Sequence, residues 1–89
     1  MIIKWLDDAI TDLQSLRQYI AIDSPSAANR VAKRIIDAAE LLSLQPHIGR
    51  HGRVPNTREL IVSDTPYIIP YRIRGNAIEI LGAVYNSHW

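Results

Sequence analysis

The dipeptide Ser24-Pro25 constrains this chain most, because it forces a second helix to start only a few residues after a first one stops. Serine accepts hydrogen bonds from the free N–H groups of a helix start. Proline is tolerated at the first helical position, where its missing N–H would have no partner. Upstream, Leu6, Ile10, Leu13, Leu16 or Arg17, and Ile20 recur at helical spacing, with Asp12, Gln14, Arg17 and Gln18 on the wet side. Asp7 or Asp8 is expected to cap this helix, which runs to about Ile22. Downstream, Ala28, Val31, Ile35, Ala38 or Ala39, and Leu42 form one stripe, widened by Ala32 and Ile36. Pro46 and Gly49 end it. The connection Ala21–Ser24 is short, so the helices form an antiparallel hairpin. An apolar arc this broad touches more than one neighbouring helix. Either a sheet or a partner covers the remainder.

The flanking segments supply the sheet. Met1–Trp5 is short, apolar and β-branched, and reads as an opening strand. Thr57–Val62 reads as a strand, Ser63–Pro66 as a turn, and Tyr67–Ile73 as a strand with Tyr67, Ile69, Tyr71 and Ile73 on one face. Arg74-Gly75-Asn76 is a tight turn. Ala77–Tyr85 reads as one strand with Ile78, Ile80 and Val84 on one face. Pro70 conflicts with this pattern. It cannot donate a ladder bond, so it is expected at an edge, facing out, or at a bulge. The order β-α-α-β-β-β defines an α+β fold, a helical hairpin packed on a small, mostly antiparallel sheet.

With 89 residues, the whole of 1–89 is expected to be a single domain. A domain this small buries only about 60–65% of its unfolded surface, so a partner covering more apolar surface would stabilise it. The 47% apolar content excludes a disordered chain, and the absence of cysteine excludes disulfides and thiolate chemistry. Asp7-Asp8 interrupts the N-terminus before an apolar signal region can form. No run of 18 apolar residues exists, so no membrane span is expected.

Net charge is only +1, but it is unevenly placed. Residues 1–49 carry five basic and six acidic groups; residues 50–89 carry five basic and three acidic groups. The five are all arginine: Arg50, Arg53, Arg58, Arg72 and Arg74. Arginine suits fork-like contacts to phosphate or carboxylate.

Most familiar chemistries find no support. His47 and His51 are separated by four positions, but Pro46, Gly49 and Gly52 forbid the helix that would make this spacing a metal site. No metal or other cofactor is expected. Gly49-Arg50-His51-Gly52 lacks the lysine–serine ending of a phosphate-binding loop and precedes a strand. No serine sits in a nucleophile elbow. Glu59 and Glu79 lie in strands, where pairing with Arg58, Arg72 or Arg74 across the sheet is the expected role. Metal-free RNA cleavage would need a base, an acid and cations for the transition state. The arginines, His51, His88, Tyr71 and Tyr85 supply those types without a diagnostic spacing. Trp5, Tyr67, Tyr71, Tyr85 and Trp89 are available for stacking on bases or for core packing.

An ordered set of residues gives the chain a resemblance. It runs from Trp5, Ala9, Leu13 and Tyr19-Ile20 through Ser24-Pro25-Ser26-Ala27-Ala28 and Leu44-Gln45-Pro46-His47-Ile48-Gly49-Arg50. It continues with Arg53-Val54-Pro55, Thr57-Arg58-Glu59-Leu60, Pro66–Ile73 and Ile78-Glu79-Ile80-Leu81. In these the chain resembles the toxins of the ParE/RelE superfamily of bacterial toxin–antitoxin modules, nearer the ParE side.

The resemblance implies a cytoplasmic toxin held in a hetero-oligomer by a ParD-like or similar antitoxin. The antitoxin's C-terminal segment would fold along the toxin's helices and sheet, here over Leu13, Leu16, Ile20, Val31, Ile35 and Leu42. Contact with DNA would run only through the antitoxin. ParE-like members inhibit DNA gyrase by protein–protein contact, for which Arg53, Arg58, Arg72, His88 and Trp89 are the candidate surface. RelE-like members cut mRNA on the ribosome, a role that would fall on Arg58, Arg72, Tyr85 and His88. A non-toxic module acting only within the antitoxin complex is a third possibility. ParE-like chains usually carry histidine where Tyr85 stands and arginine about where His88 stands, so this chain departs from the pattern there.

Overall fold

The computed structural model describes residues 1–86. Its elements are β1 (Ile2–Trp5), α1 (Asp7–Ala21), α2 (Pro25–Leu41), β2 (Arg50–His51), β3 (Arg58–Ile61), β4 (Tyr67–Arg74), β5 (Ala77–Ile80) and β6 (Val84–Tyr85). The two helices pack on an open, mixed, mostly antiparallel sheet of order β1-β5-β4-β3-β2. β6 pairs with β4, off this path. β1 lies parallel to β5, with Ile3 opposite Ile78 and Trp5 opposite Ile80. The other pairings are antiparallel.

The helix ends follow local chemistry. Ser24 has extended backbone and its side-chain oxygen accepts from the Ala27 N–H at 3.2 Å, with Pro25 opening α2. The expected cap of α1 is absent. Leu6 occupies the cap position without a side-chain bond, and Asp7 and Asp8 lie inside the first turn. There their charges face the positive helix end without capping it.

The core joins the hairpin to one sheet face. Ala9 and Leu16 of α1 meet Ile35 and Ala39 of α2, Leu42 just beyond it, and Tyr67, Ile69, Tyr71, Ile78 and Ile80 of the sheet. Burying a side chain such as Ile35 is worth roughly 1.5–3 kcal/mol. The expected α2 stripe is buried at Ala28, Ala32, Ile35, Ala39 and Leu42, whereas Val31 is only partly buried and Ile36 is 38% exposed. On α1, Ala9 takes the place expected for Ile10, which is 43% exposed.

The expected strand Ala77–Tyr85 is two strands broken at Leu81–Ala83. The break reverses the side-chain alternation. Val84 stands opposite Ile68, on the face away from the core, whereas it was expected to share a face with Ile78 and Ile80. A single-residue shift flips a strand's faces in this way.

The same break explains Pro70. It is fully buried in the middle of the sheet, so an edge position is ruled out. Its carbonyl accepts from the Leu81 N–H at 2.9 Å, so its backbone faces the gap between β5 and β6 rather than β3. No ladder donor is needed there, which is how a proline can occupy a central strand.

Asp12 was expected on the wet side. Instead it accepts a hydrogen bond from the Ala83 N–H at 3.1 Å and ties α1 to the break. A side chain on Gly82 would begin 2.9 Å from that carboxylate, so any Cβ there would make the Asp12 side chain shift.

Candidate functional site

Two segments meet where β3 and β4 approach the loop after α2. Tyr71 of β4 is buried, and its hydroxyl donates to the Pro46 carbonyl at 2.8 Å and accepts from the Gly49 N–H at 3.0 Å. A Cβ on Gly49 would stand 2.6 Å from the Tyr71 ring, so only glycine lets the loop sit this close. Burial raises the Tyr71 phenol above its ordinary value, against the opposing pull of the Gly49 N–H and the Arg58 charge. Tyr71 therefore acts here as a neutral pin.

Arg58 holds the same loop from β3. Its guanidinium donates to the carbonyls of His47 at 3.2 Å and Gly49 at 2.8 Å. His51 stands opposite Arg58 in the β2–β3 pairing, on the same face. The result is an open cleft of about 430 Å³ lined by His47, His51, Asn56, Thr57, Arg58, Arg72 and Ile73.

Arg50, Arg72 and Arg74 belong to ion pairs on the face away from the helices. Arg72 donates to Glu79 at 2.5 Å, with Arg74 at 3.7 Å from the same oxygen. The Arg72 hydrogen bond holds the Glu79 carboxyl below its ordinary value, against the opposite effect of burial. These two pairs were expected. Glu59, however, pairs with Arg50 at 3.0 Å and accepts from the Arg53 N–H at 3.3 Å, not from Arg58. Adjacent strand residues point to opposite faces, so Arg58 cannot reach Glu59, whereas Arg50 is its register partner.

Of the residues proposed to contact a target, Arg58 and Arg72 thus line one cleft. Arg53 is exposed but is not part of the lining. His88 and Trp89 lie outside the described residues. Tyr85, part of the nuclease alternative, is elsewhere. It stands opposite Tyr67 with the rings edge to face at 5.2 Å. Tyr67 and Arg72 are five positions apart on β4, on the order of 15–17 Å along a strand. Tyr85 is therefore not brought to Arg58 and Arg72. Among the described residues no group of three or more histidine, aspartate or glutamate side chains could hold a metal.

The six apolar residues expected to meet an antitoxin divide. Leu16, Ile35 and Leu42 are buried in the chain's own core, which places them beyond a partner's reach. Leu13, Ile20 and Val31 are partly buried against that core. Leu13 also lines a groove across the hairpin with Gln14, Arg17, Gln18, Ala32 and Ile36. Ile36 and Ile10, 38% and 43% exposed, carry apolar surface that the sheet does not cover.

Three contributors escaped the sequence reading: Tyr71 as a loop pin, Arg50 as the partner of Glu59, and Asp12. Asp12 carried a signal, since it falls three positions after Ala9 and four before Leu16 on the buried arc.

This hairpin-on-sheet fold is that of known bacterial toxins. The family model described as the ParE toxin of the type II toxin–antitoxin system parDE matches residues 3–86. The chain is 45% identical over 86 residues to Y4kP of Sinorhizobium fredii, covering 97% of this chain and 88% of that protein. It is 37% identical over 79 residues to toxin RelE2 of Caulobacter vibrioides, covering 89% and 88% respectively. A solved structure titled as a chromosomal ParDE toxin–antitoxin system from P. aeruginosa superposes with a TM-score of 0.85 at 27% identity, covering 96% of this chain and 95% of that one. The chain belongs to the ParE toxin family of type II toxin–antitoxin systems, within the ParE/RelE superfamily.

Proposed function

We propose that this toxin acts by protein–protein contact on DNA gyrase and is neutralised in the cytoplasm by a cognate antitoxin. The antitoxin would lie on the exposed parts of the helical hairpin, around Leu13, Ile20 and Val31, and would supply any contact with DNA. Arg53, Arg58, Arg72, His88 and Trp89 would meet the target. The observation that supports contact over cleavage is the separation of Tyr85 from the arginine cleft. Arg58 is engaged with loop carbonyls and Arg72 with Glu79, and among the described residues Tyr85 does not converge with them. Cleavage needs such groups within hydrogen-bond reach of one reacting site.

The test is a supercoiling assay with purified toxin and gyrase, with and without antitoxin. Loss of supercoiling, restored by antitoxin, is the expected result. Unimpeded supercoiling at excess toxin would overturn the gyrase reading. Induced cuts in translated mRNA, read by primer extension, would replace it with the RelE-like reading. Unchanged growth on expression without antitoxin would leave only a non-toxic module.

A further inference from the structure

We infer that the cleft between His47, His51, Arg58 and Arg72 is a receptor for a single carboxylate presented by an acidic segment of a partner protein. Three observations carry this. First, no lining residue is acidic among the described residues. Second, both partners of Arg58 are neutral carbonyls, so its charge has no carboxylate counterpart among the described residues. Its guanidinium presents five donors in a planar fork that matches a carboxylate. Third, Tyr71 and Arg58 fix the loop that forms the cleft wall, so the site is formed before a ligand arrives. Preorganisation of this kind lowers the ordering cost of binding.

The surroundings select the ligand class. A nucleic-acid backbone needs a row of cations, because its affinity grows with the number of phosphates neutralised. Beside this cleft, Glu79 already answers Arg72 and Arg74, and Glu59 answers Arg50. In the cleft lining, Arg58 is the guanidinium without a carboxylate partner among the described residues. Ile73 adds an apolar wall, which suits an acidic side chain flanked by an aliphatic one. The inference holds whether or not gyrase is the target.

The test is an NMR titration of the purified chain with acetyl-Leu-Glu-Leu-Glu-amide and with its glutamine counterpart. Inorganic phosphate and a short single-stranded RNA are titrated separately. The glutamate peptide is expected to shift the amide signals of Gly49, Gly52, Thr57 and Arg58, and the glutamine peptide is expected to leave them in place. Arg58→Lys is expected to weaken the glutamate peptide about tenfold. His51→Gln, which leaves the Arg58–carbonyl bonds untouched, serves as a second variant at the cleft wall and is expected to weaken it by a smaller factor. Equal responses to the two peptides would overturn the inference. So would RNA or phosphate shifting these signals while the glutamate peptide does not.

Discussion

The Tyr71 hydroxyl donates to the Pro46 carbonyl at 2.8 Å, joining the centre of the sheet to the loop that leaves α2. Tyr71→Phe keeps the ring in the core and deletes this bond together with the one accepted from Gly49. Two backbone groups then lose their partner, and an unsatisfied buried group costs about 1–3 kcal/mol. An unfolding free energy lowered by that amount, read as a lower urea midpoint at unchanged slope, is expected. Faster amide exchange at Gly49 should accompany it, because the N–H that now ends on the phenol is released.

Gly49→Ala tests the same contact from the loop side. Its Cβ would stand 2.6 Å from the Tyr71 ring, closer than any stable contact. The loop or the ring must move, and overpacking of this kind costs roughly 1–3 kcal/mol. Combined with Tyr71→Phe, the two losses are expected to add to less than their sum, since each relieves or removes the same contact. Strict additivity in the urea midpoints would show that the loop is held elsewhere.

Arg72 and Glu79 give the fold an acid-sensitive element. The Arg72 hydrogen bond holds the carboxyl below its ordinary value in the folded chain. The pair therefore contributes its full stability above that value, and the contribution is lost as pH falls through the lowered folded-state value. Glu79→Gln removes the titrating group. Thermal midpoints measured from neutral to acidic pH are expected to fall less steeply for Glu79→Gln than for the parent chain. Parallel curves would mean that the Arg72 bond does not shift the carboxyl.

Much of this architecture was legible in the sequence because periodicity and caps are local. Ser24-Pro25 starts α2 where expected, and Ala28, Ile35 and Leu42 are buried as their spacing requires. What escaped depends on distant partners. Gly82 inside an apparent strand is an ordinary sign of a bulge, but only the Asp12 bond and the buried Pro70 ring show why the strand stops there. β2 has just two residues, too few to show an alternation, and exists because β3 offers an edge. The cleft was partly visible as an arginine-bearing loop. Nothing local in the sequence separates Arg58, held by carbonyls, from Arg72, held by a carboxylate.

Asp12 links the hairpin to the sheet by accepting from Ala83 across 71 positions of chain. Asp12→Ala leaves that N–H without a partner and should cost about 1–2 kcal/mol. Asp12→Asn keeps a carbonyl acceptor of the same shape and should lose less. Amide exchange at Ala83 is the direct measurement, expected to accelerate in the alanine variant and much less in the asparagine variant. Equal acceleration in both would assign the bond's value to the carboxylate charge rather than to the acceptor.

The hairpin offers the sharpest separation between folding and partner binding. Leu16 is 7% exposed and packs in the core, whereas Ile36 is 38% exposed at the rim of the groove that includes Leu13. Leu16→Glu buries an unpaired carboxylate and is expected to prevent folding. Ile36→Glu places its charge in water, where surface substitutions shift stability by only about 0.5 kcal/mol. If an antitoxin covers this groove, that same charge must be desolvated in the complex. At least a tenfold loss of antitoxin affinity is then expected, about 1.4 kcal/mol. Calorimetric titration of the folded Ile36→Glu variant checks this directly. Unchanged affinity would move the antitoxin off the groove between α1 and α2, and leave Ile36 as one more exposed isoleucine.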